Sequence, residues 1–143
     1  MNKPIKTVNK FGDIRYLLNG VLHRTDGPAI EHTNGDKFWC FNGEFHRTDG
    51  PAIERANGYK AWYQYGLFHR EYGRPAIEYA DGSKAWYVNG KRHRTDGPAA
   101  EYVDNTKEWW VNGELITVQN YKEYNSEHKQ LINMFLVHEA LNV

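Results

Sequence analysis

The stretch Trp39-Cys40-Phe41-Asn42-Gly43-Glu44-Phe45-His46-Arg47-Thr48-Asp49-Gly50-Pro51-Ala52 decides the fold, because most of it returns along the chain. Its second half, His-Arg-Thr-Asp-Gly-Pro-Ala, begins at His23, His46 and His93, with a variant at His69. Its first half places an aromatic ring four residues before a glycine: Trp39/Gly43, Trp62/Gly66, Trp86/Gly90 and Trp109/Gly113, with a degenerate first copy at Tyr16/Gly20. These glycines step by 23, 23, 24 and 23 residues. A fixed period of that size means one supersecondary unit stacked on copies of itself. Stacked arrays bind along a surface and seldom enclose one deep catalytic pocket.

Within one unit the turn signals are dense. Asn42-Gly43 suits a type I′ hairpin turn, which needs positive φ at both central positions, and Asn19-Gly20, Asn89-Gly90 and Asn112-Gly113 repeat it. Thr48-Asp49-Gly50-Pro51 is a second turn, and Asn57-Gly58, matched by Asn34-Gly35 and Asp81-Gly82, is a third. Between them lie two extended runs, 52–55 and 60–64, and no room for a helix. Two arrangements satisfy this pattern. In a meander, 52–55 and 60–64 pair, the His-Arg segment leads outward as a short arm, and copies lie about 9.5 Å apart. In a parallel β-coil with three short sides per turn, each copy rises only about 4.8 Å. The tight Asn-Gly turns favour the hairpins.

Strand alternation assigns faces. Trp39, Trp62, Trp86 and Trp109 share one face, nearly unvaried within the chain, and are expected to form the packed repeat core. Cys40, Tyr63, Tyr87 and Trp110 lie on the other face, which varies more and is the better candidate for contact. The predicted fold is therefore mainly β: about five hairpin repeats in an elongated, twisted antiparallel sheet. Residues 1–11 lead in, 12–113 form the array, and 114–143 form a C-terminal α-helical cap. In that last segment Thr117 can cap a short helical stretch over 118–124, and Ser126 a second running to about Leu141. The second is amphipathic, with Leu131, Phe135 and Val137/His138 near one face and Ile132 and Leu136 beside them. It is expected to cover the last copy or to pair two protomers.

The 143 residues suffice for one domain with a real core. Eighteen basic and eighteen acidic residues cancel, as Arg47, Asp49, Glu54 and Lys60 do within one copy, so no global field draws nucleic acid or an anionic membrane. The single cysteine, Cys40, excludes an internal disulfide framework and fits a reducing compartment. The start, residues 1–6, lacks the apolar run of a signal peptide, and the apolar run 134–137 is far too short to span a bilayer. A cytoplasmic protein without a membrane span is expected, inside a host cell if the source is viral.

The hairpin Asp81-Gly82-Ser83-Lys84-Ala85-Trp86-Tyr87-Val88-Asn89-Gly90 resembles the MORN-type repeat in its variant form. Together with the His-Arg-x-Asp-Gly-Pro-Ala motif it is similar to repeat proteins encoded by bacteriophages and large DNA viruses. The resemblance covers about residues 12 to 113. It implies a β-hairpin array that binds proteins or membranes, and it supplies no catalytic residues. The inserted His-Arg-Thr-Asp-Gly-Pro arm departs from the usual MORN unit.

Little in the chain points to chemistry. His23, His46, His69 and His93 recur once per copy, too far apart in a meander to share a metal ion, and no cofactor motif is present. Arg24, Arg47, Arg70 and Arg94 can pair with Asp26, Asp49 and Asp96, or with Glu31, Glu54, Glu78 and Glu101; alternatively they form a row of guanidinium forks for phosphate or carboxylate. No nucleophile, base and orienting group converge, so no enzyme is expected. The repeat breaks in its third arm, His69-Arg70-Glu71-Tyr72-Gly73-Arg74-Pro75, which has one extra residue and no aspartate, and whose preceding turn is Tyr65-Gly66. Local rules break at functional sites. Tyr63, Tyr65, Arg70, Tyr72, Arg74, Tyr87 and Trp110 are accordingly the candidate contact residues. Three functions fit: a module that binds a host protein, a sponge that sequesters an anionic nucleotide-like signal against host defence, and a structural array in a virion or on a membrane surface. Specific nucleic-acid binding is not expected; a homo-oligomer through the C-terminal helix is the alternative to a structural cap.

Overall fold

The computed structural model describes residues 2–124 and 128–142. It is a meander. The main sheet runs in sequence order through Ile5–Val8, Ile14–Leu18, Ile30–Glu31, Lys37–Phe38, Ile53–Glu54, Lys60–Ala61, Ile77–Glu78, Lys84–Ala85, Ala100–Glu101 and Lys107–Glu108, every neighbour antiparallel. Each copy after the first contributes two of these strands, so the repeat advances by two strand spacings, about 9.5 Å, and the β-coil is excluded. The lead-in is the outermost strand of the sheet: Ile5 pairs with Leu17 and Val8 with Ile14.

The arms fold differently from the sequence expectation. In the first copy Ile14–Leu18 is one continuous strand. In every later copy the strand is interrupted at its tryptophan, and the residues beyond it form a second hairpin. Cys40–Phe41 pairs with Glu44–Phe45, Tyr63–Gln64 with Leu67–Phe68, Tyr87–Val88 with Lys91–Arg92, and Trp110–Val111 with Glu114–Leu115. The segment before each His-Arg pair is thus a paired strand. These hairpins are tied in series: Gly66 N–H donates to Phe45 O at 2.9 Å and Gly90 N–H to Phe68 O at 2.9 Å. Their turns have the positive φ angles that a type I′ turn demands, 50° and 86° at Asn42-Gly43. Tyr65 is held at φ 47°, a left-handed conformation disfavoured for a bulky residue.

The core is narrow and built from small residues. Ala29, Ala52, Ala76 and Ala99, which follow the arm prolines, are fully buried, as are Ala61 and Ala85. Trp86 and Trp109 are buried, while Trp39 and Trp62 are only half-buried. The opposite face is not free. Cys40 is sealed, and burial pushes its thiol up to about 11. Phe45, Tyr63, Phe68 and Tyr87 form a continuous ring ladder, with centroids 5.3, 4.2 and 5.1 Å apart. Burial pushes the Tyr63 phenol up to about 12.

The cap forms as a one-turn 3₁₀ helix, Tyr121–Tyr124, and an α-helix, Lys129–Leu141. The expected stretch over 118–124 shortens because Asn120 Oδ1 accepts from Thr117 N and Oγ1, closing a local turn ahead of it. Ser126 lies outside the described residues. Leu131, Ile132 and Phe135 pack on Trp109, Val111 and Ile116, covering the last copy. Val137 is exposed, whereas His138 reaches Trp109 with rings 6.1 Å apart. The helical period brings residue 138, not 137, over 131 and 135. Among the described residues no helix is long and apolar enough to cross a membrane.

Replacing Trp86 by Ala is expected to destabilise the protein by about 3–5 kcal/mol in urea unfolding. A thiol reagent at pH 8 should leave Cys40 unlabelled in the folded protein and label it fully in denaturant; equal rates in the two states would place Cys40 outside the core.

Candidate functional site

Each arm arginine sits in a cage built by its own repeat. Its guanidinium carbon lies over the aromatic ring eight residues upstream: Arg24 over Tyr16 at 3.9 Å, Arg47 over Trp39 at 3.9 Å, Arg70 over Trp62 at 3.6 Å and Arg94 over Trp86 at 4.2 Å. In the regular arms Nε donates to the aspartate two residues on, at 2.8 Å for Asp26 and 2.7 Å for Asp49 and Asp96. Nη1 donates to the arm proline carbonyl and to the glutamate beyond it, for example Pro51 O at 3.2 Å and Glu54 Oε1 at 2.9 Å. The arginine takes the aspartate and the glutamate at once. Hydrogen bonding to Arg47 holds the Asp49 carboxyl below the usual carboxylate range.

The arm glycine closes the cage. A Cβ at Gly27, Gly50 or Gly97 would lie 2.8–2.9 Å from the guanidinium carbon of Arg24, Arg47 or Arg94. Glycine is required there by this close approach. Sequence reasoning read it as turn punctuation, since the stacked arginine is invisible in a linear pattern.

The histidines connect copies. Nδ1 of His23, His46, His69 and His93 accepts the backbone N–H of Asn42, Tyr65, Asn89 and Asn112 at 3.1, 3.2, 3.1 and 3.0 Å. His23 Nδ1 also lies 2.8 Å from Asn42 Oδ1. At His93 burial, with a smaller contribution from the neighbouring His128, lowers the pKa. Among the described residues no group of three or more His, Cys, Asp or Glu is placed to hold a metal ion.

The third arm leaves the cage incomplete. Arg70 keeps Pro75 O and Glu78 Oε1, each at 2.9 Å, but has no aspartate for Nε. Gly73 does not cover the guanidinium; its Cβ position faces Asp96 of the next copy at 3.2 Å. The displaced arm has a structural partner, because Trp86 Nε1 donates to Gly73 O at 2.8 Å. Tyr72 and Gly73 both take positive φ, 63° and 64°, and Tyr72 is 87% exposed. A bulky residue in that conformation with no burial in return is stored strain. His69 Nε2 is buried without a hydrogen-bond partner, 3.8 Å from Glu71.

Between the second and third arms runs a groove of about 410 Å³, lined among others by Asp49, Trp62, Arg70, Tyr72 and Arg74. A wider groove of about 740 Å³ lies between the first and second arms, but its arginines, Arg24 and Arg47, are saturated by their own carboxylates. The structure therefore brings Arg70, Tyr72 and Arg74 together. The other four candidates lie elsewhere. Tyr63 and Tyr87 are in the ring ladder. Tyr65 stacks on His46 with centroids 4.2 Å apart. Trp110 donates to Glu108 Oε2 at 2.9 Å, beside Arg92. They separate because alternate residues of a bent strand face opposite ways. The sequence reading also passed over Tyr59. It stands where Asp13, Asp36 and Ser83 accept the backbone N–H of Thr33, Ala56 and Val103. Tyr59 instead meets Tyr79 edge-on at 5.8 Å.

At the far end a hollow of about 450 Å³ between the last copy and the helix is lined by Pro98, Trp109, Met134, Val137 and Leu141. No protein-family model matches this chain, and no curated protein is similar to it.

Arg47→Ala should cost about 2–3 kcal/mol, the cation–π contact together with a charged hydrogen bond. Asp49→Ala, removing an exposed partner, should cost under about 1 kcal/mol. Equal costs in chemical unfolding would contradict the cage. Because His93 has a lowered pKa in the fold, its contribution is full above the ordinary histidine value, about 6.5, and is lost as pH falls through that value and past the folded one. Stability should drop between pH 7.5 and 5, and His93→Asn should make that dependence shallower.

Proposed function

We propose that this chain is a non-enzymatic binding module of the variant MORN-like kind, encoded by a phage or virus, that holds a host protein along its arm face. The observation that carries this reading is the groove at the third arm. There one repeat out of register leaves Arg70 with Glu78 as its one carboxylate and Arg74 with none at salt-bridge distance among the described residues, beside an exposed and strained Tyr72. Arginine and tyrosine are the side chains that concentrate binding energy at protein interfaces. The rest of the arm row is internally satisfied, so one copy, not the whole row, is the contact. A scaffold built of repeats with a single departure suits recognition better than catalysis, which needs several groups to converge.

A sponge for a nucleotide-like anion fits less well. Asp49 and Glu71 stand in the same groove as Arg47, Arg70 and Arg74, which disfavours a multiply charged ligand. A virion or membrane-surface role has no specific feature in its favour. The pairing of two protomers would use the helix side that exposes Met134, Val137 and Leu141.

The test is photocrosslinking in host lysate, from a benzophenone residue replacing Gln64, in the groove, or Val103, outside it. A discrete partner should be captured from position 64 only. Capture should disappear when the third arm is restored to the regular pattern by replacing residues 71–74 with Thr-Asp-Gly, with Tyr65→Asn, in a protein that still folds. Equal capture from both positions, or capture that survives restoration, would sink the groove reading.

A further inference from the structure

Three cages contain an arm aspartate and the fourth does not. At Arg24, Arg47 and Arg94 the Nε–H points at an aspartate oxygen 2.7–2.8 Å away. At Arg70 the other anchors are unchanged: the ring beneath at 3.6 Å, the proline carbonyl and Glu78 at 2.9 Å. The guanidinium is therefore held in the same orientation by the same contacts, with its Nε unpaired among the described residues. Glu71, the nearest carboxylate in the arm, lies 3.8 Å from His69 Nε2 and is not paired with Arg70. Arg74 stands exposed in the same groove.

We propose that this vacancy takes a carboxylate from outside: an aspartate or glutamate side chain on an extended segment of the partner, set on Arg70 Nε where the arm aspartate sits in the other copies. This rests on the binding-module reading above and names the chemistry of the partner. A guanidinium fixed by stacking and by two hydrogen bonds is preorganised, so little further ordering is needed when the anion arrives. Charge selects among anions. The groove presents Arg47, Arg70 and Arg74 against Asp49 and Glu71, with Glu54 and Glu78 bound to two of the arginines. These three cations face four carboxylates, so the groove has no surplus positive charge; a single carboxylate is taken only locally, at Arg70 Nε beside Arg74, and the several charges of a nucleotide polyphosphate find no match. The strained Tyr72 stands at the groove with its ring free to lie on the backbone of an incoming segment.

The regular arm supplies the probe. The peptide acetyl-Thr-Asp-Gly-Pro-Ala-amide is titrated into protein labelled with ¹⁵N, following the arginine Nε–H resonances, with Arg70 assigned by its loss in Arg70→Lys. The Arg70 signal should shift saturably, and the aspartate peptide should bind about tenfold more tightly than its asparagine counterpart, as a charge-assisted bond implies. Arg47, whose site is filled by Asp49, should not move. Acetate should shift Arg70 more weakly, and a variant with the regular third arm should respond to none of these. The proposal is overturned if the asparagine peptide binds equally, if Arg47 responds like Arg70, or if inorganic phosphate or ATP outcompetes the acidic peptide. Should the peptide fail while crosslinking from position 64 still captures a partner, the carboxylate assignment falls and the binding module stands. Failure of both removes the module as well.

Discussion

The stacked arginine is the constraint on which this fold depends. A twenty-three-residue unit with two short main strands buries little, and its core is chiefly alanine. What closes it is a guanidinium laid on an aromatic ring and fixed by three acceptors from the same arm. The glycine must be glycine to let the arm cross the guanidinium, the proline carbonyl is an acceptor, and the aspartate and glutamate neutralise one charge. The motif is thus a single structural device spread over sixteen residues, Trp39 to Glu54 in the second copy, not a row of separate surface groups. It also answers the problem of like charges stacked copy over copy, because each arginine carries its counter-ions with it.

Neighbouring copies are joined by backbone and by histidine. Each hairpin glycine donates to the hairpin before it, and each arm histidine accepts from the turn of the hairpin after it. The second row of hairpins arises because the strand breaks at its tryptophan, turning the main sheet into two connected rows with the ring ladder of Phe45, Tyr63, Phe68 and Tyr87 alongside.

The third copy departs from this scheme in three places: Tyr59 in the main-sheet turn, Tyr65 in the hairpin turn and the lengthened arm. Two of these are absorbed. Tyr59 packs against Tyr79, and Tyr65 stacks on His46. The arm is absorbed only in part, since Gly73 serves Trp86 while Arg70 Nε is left unpaired and Tyr72 is strained without burial. The other three arm arginines each hold an aspartate and a glutamate, so this copy is the one we propose for recognition.

The sequence by itself determined the repeat, its hairpin turns, the mainly β class, the helical cap and the copy at which the pattern fails. Those follow from local rules: positive φ at Asn-Gly, strand alternation and a period read directly from residue numbers. The burial of the tryptophans was legible only in part, since Trp39 and Trp62 stay half-buried beneath their arginines while Trp86 and Trp109 are buried. Tertiary structure alone decided that the His-Arg arm continues a paired strand, that one arginine takes two carboxylates, and that the arm glycine is demanded by proximity. It also decided that Tyr63 and Tyr87 stand apart from Arg70, Tyr72 and Arg74. In each case the reason is the same. The deciding contacts join groups that a straight strand would keep apart, Arg47 to partners two to eight residues away, and alternation counts faces correctly only along a strand that does not bend.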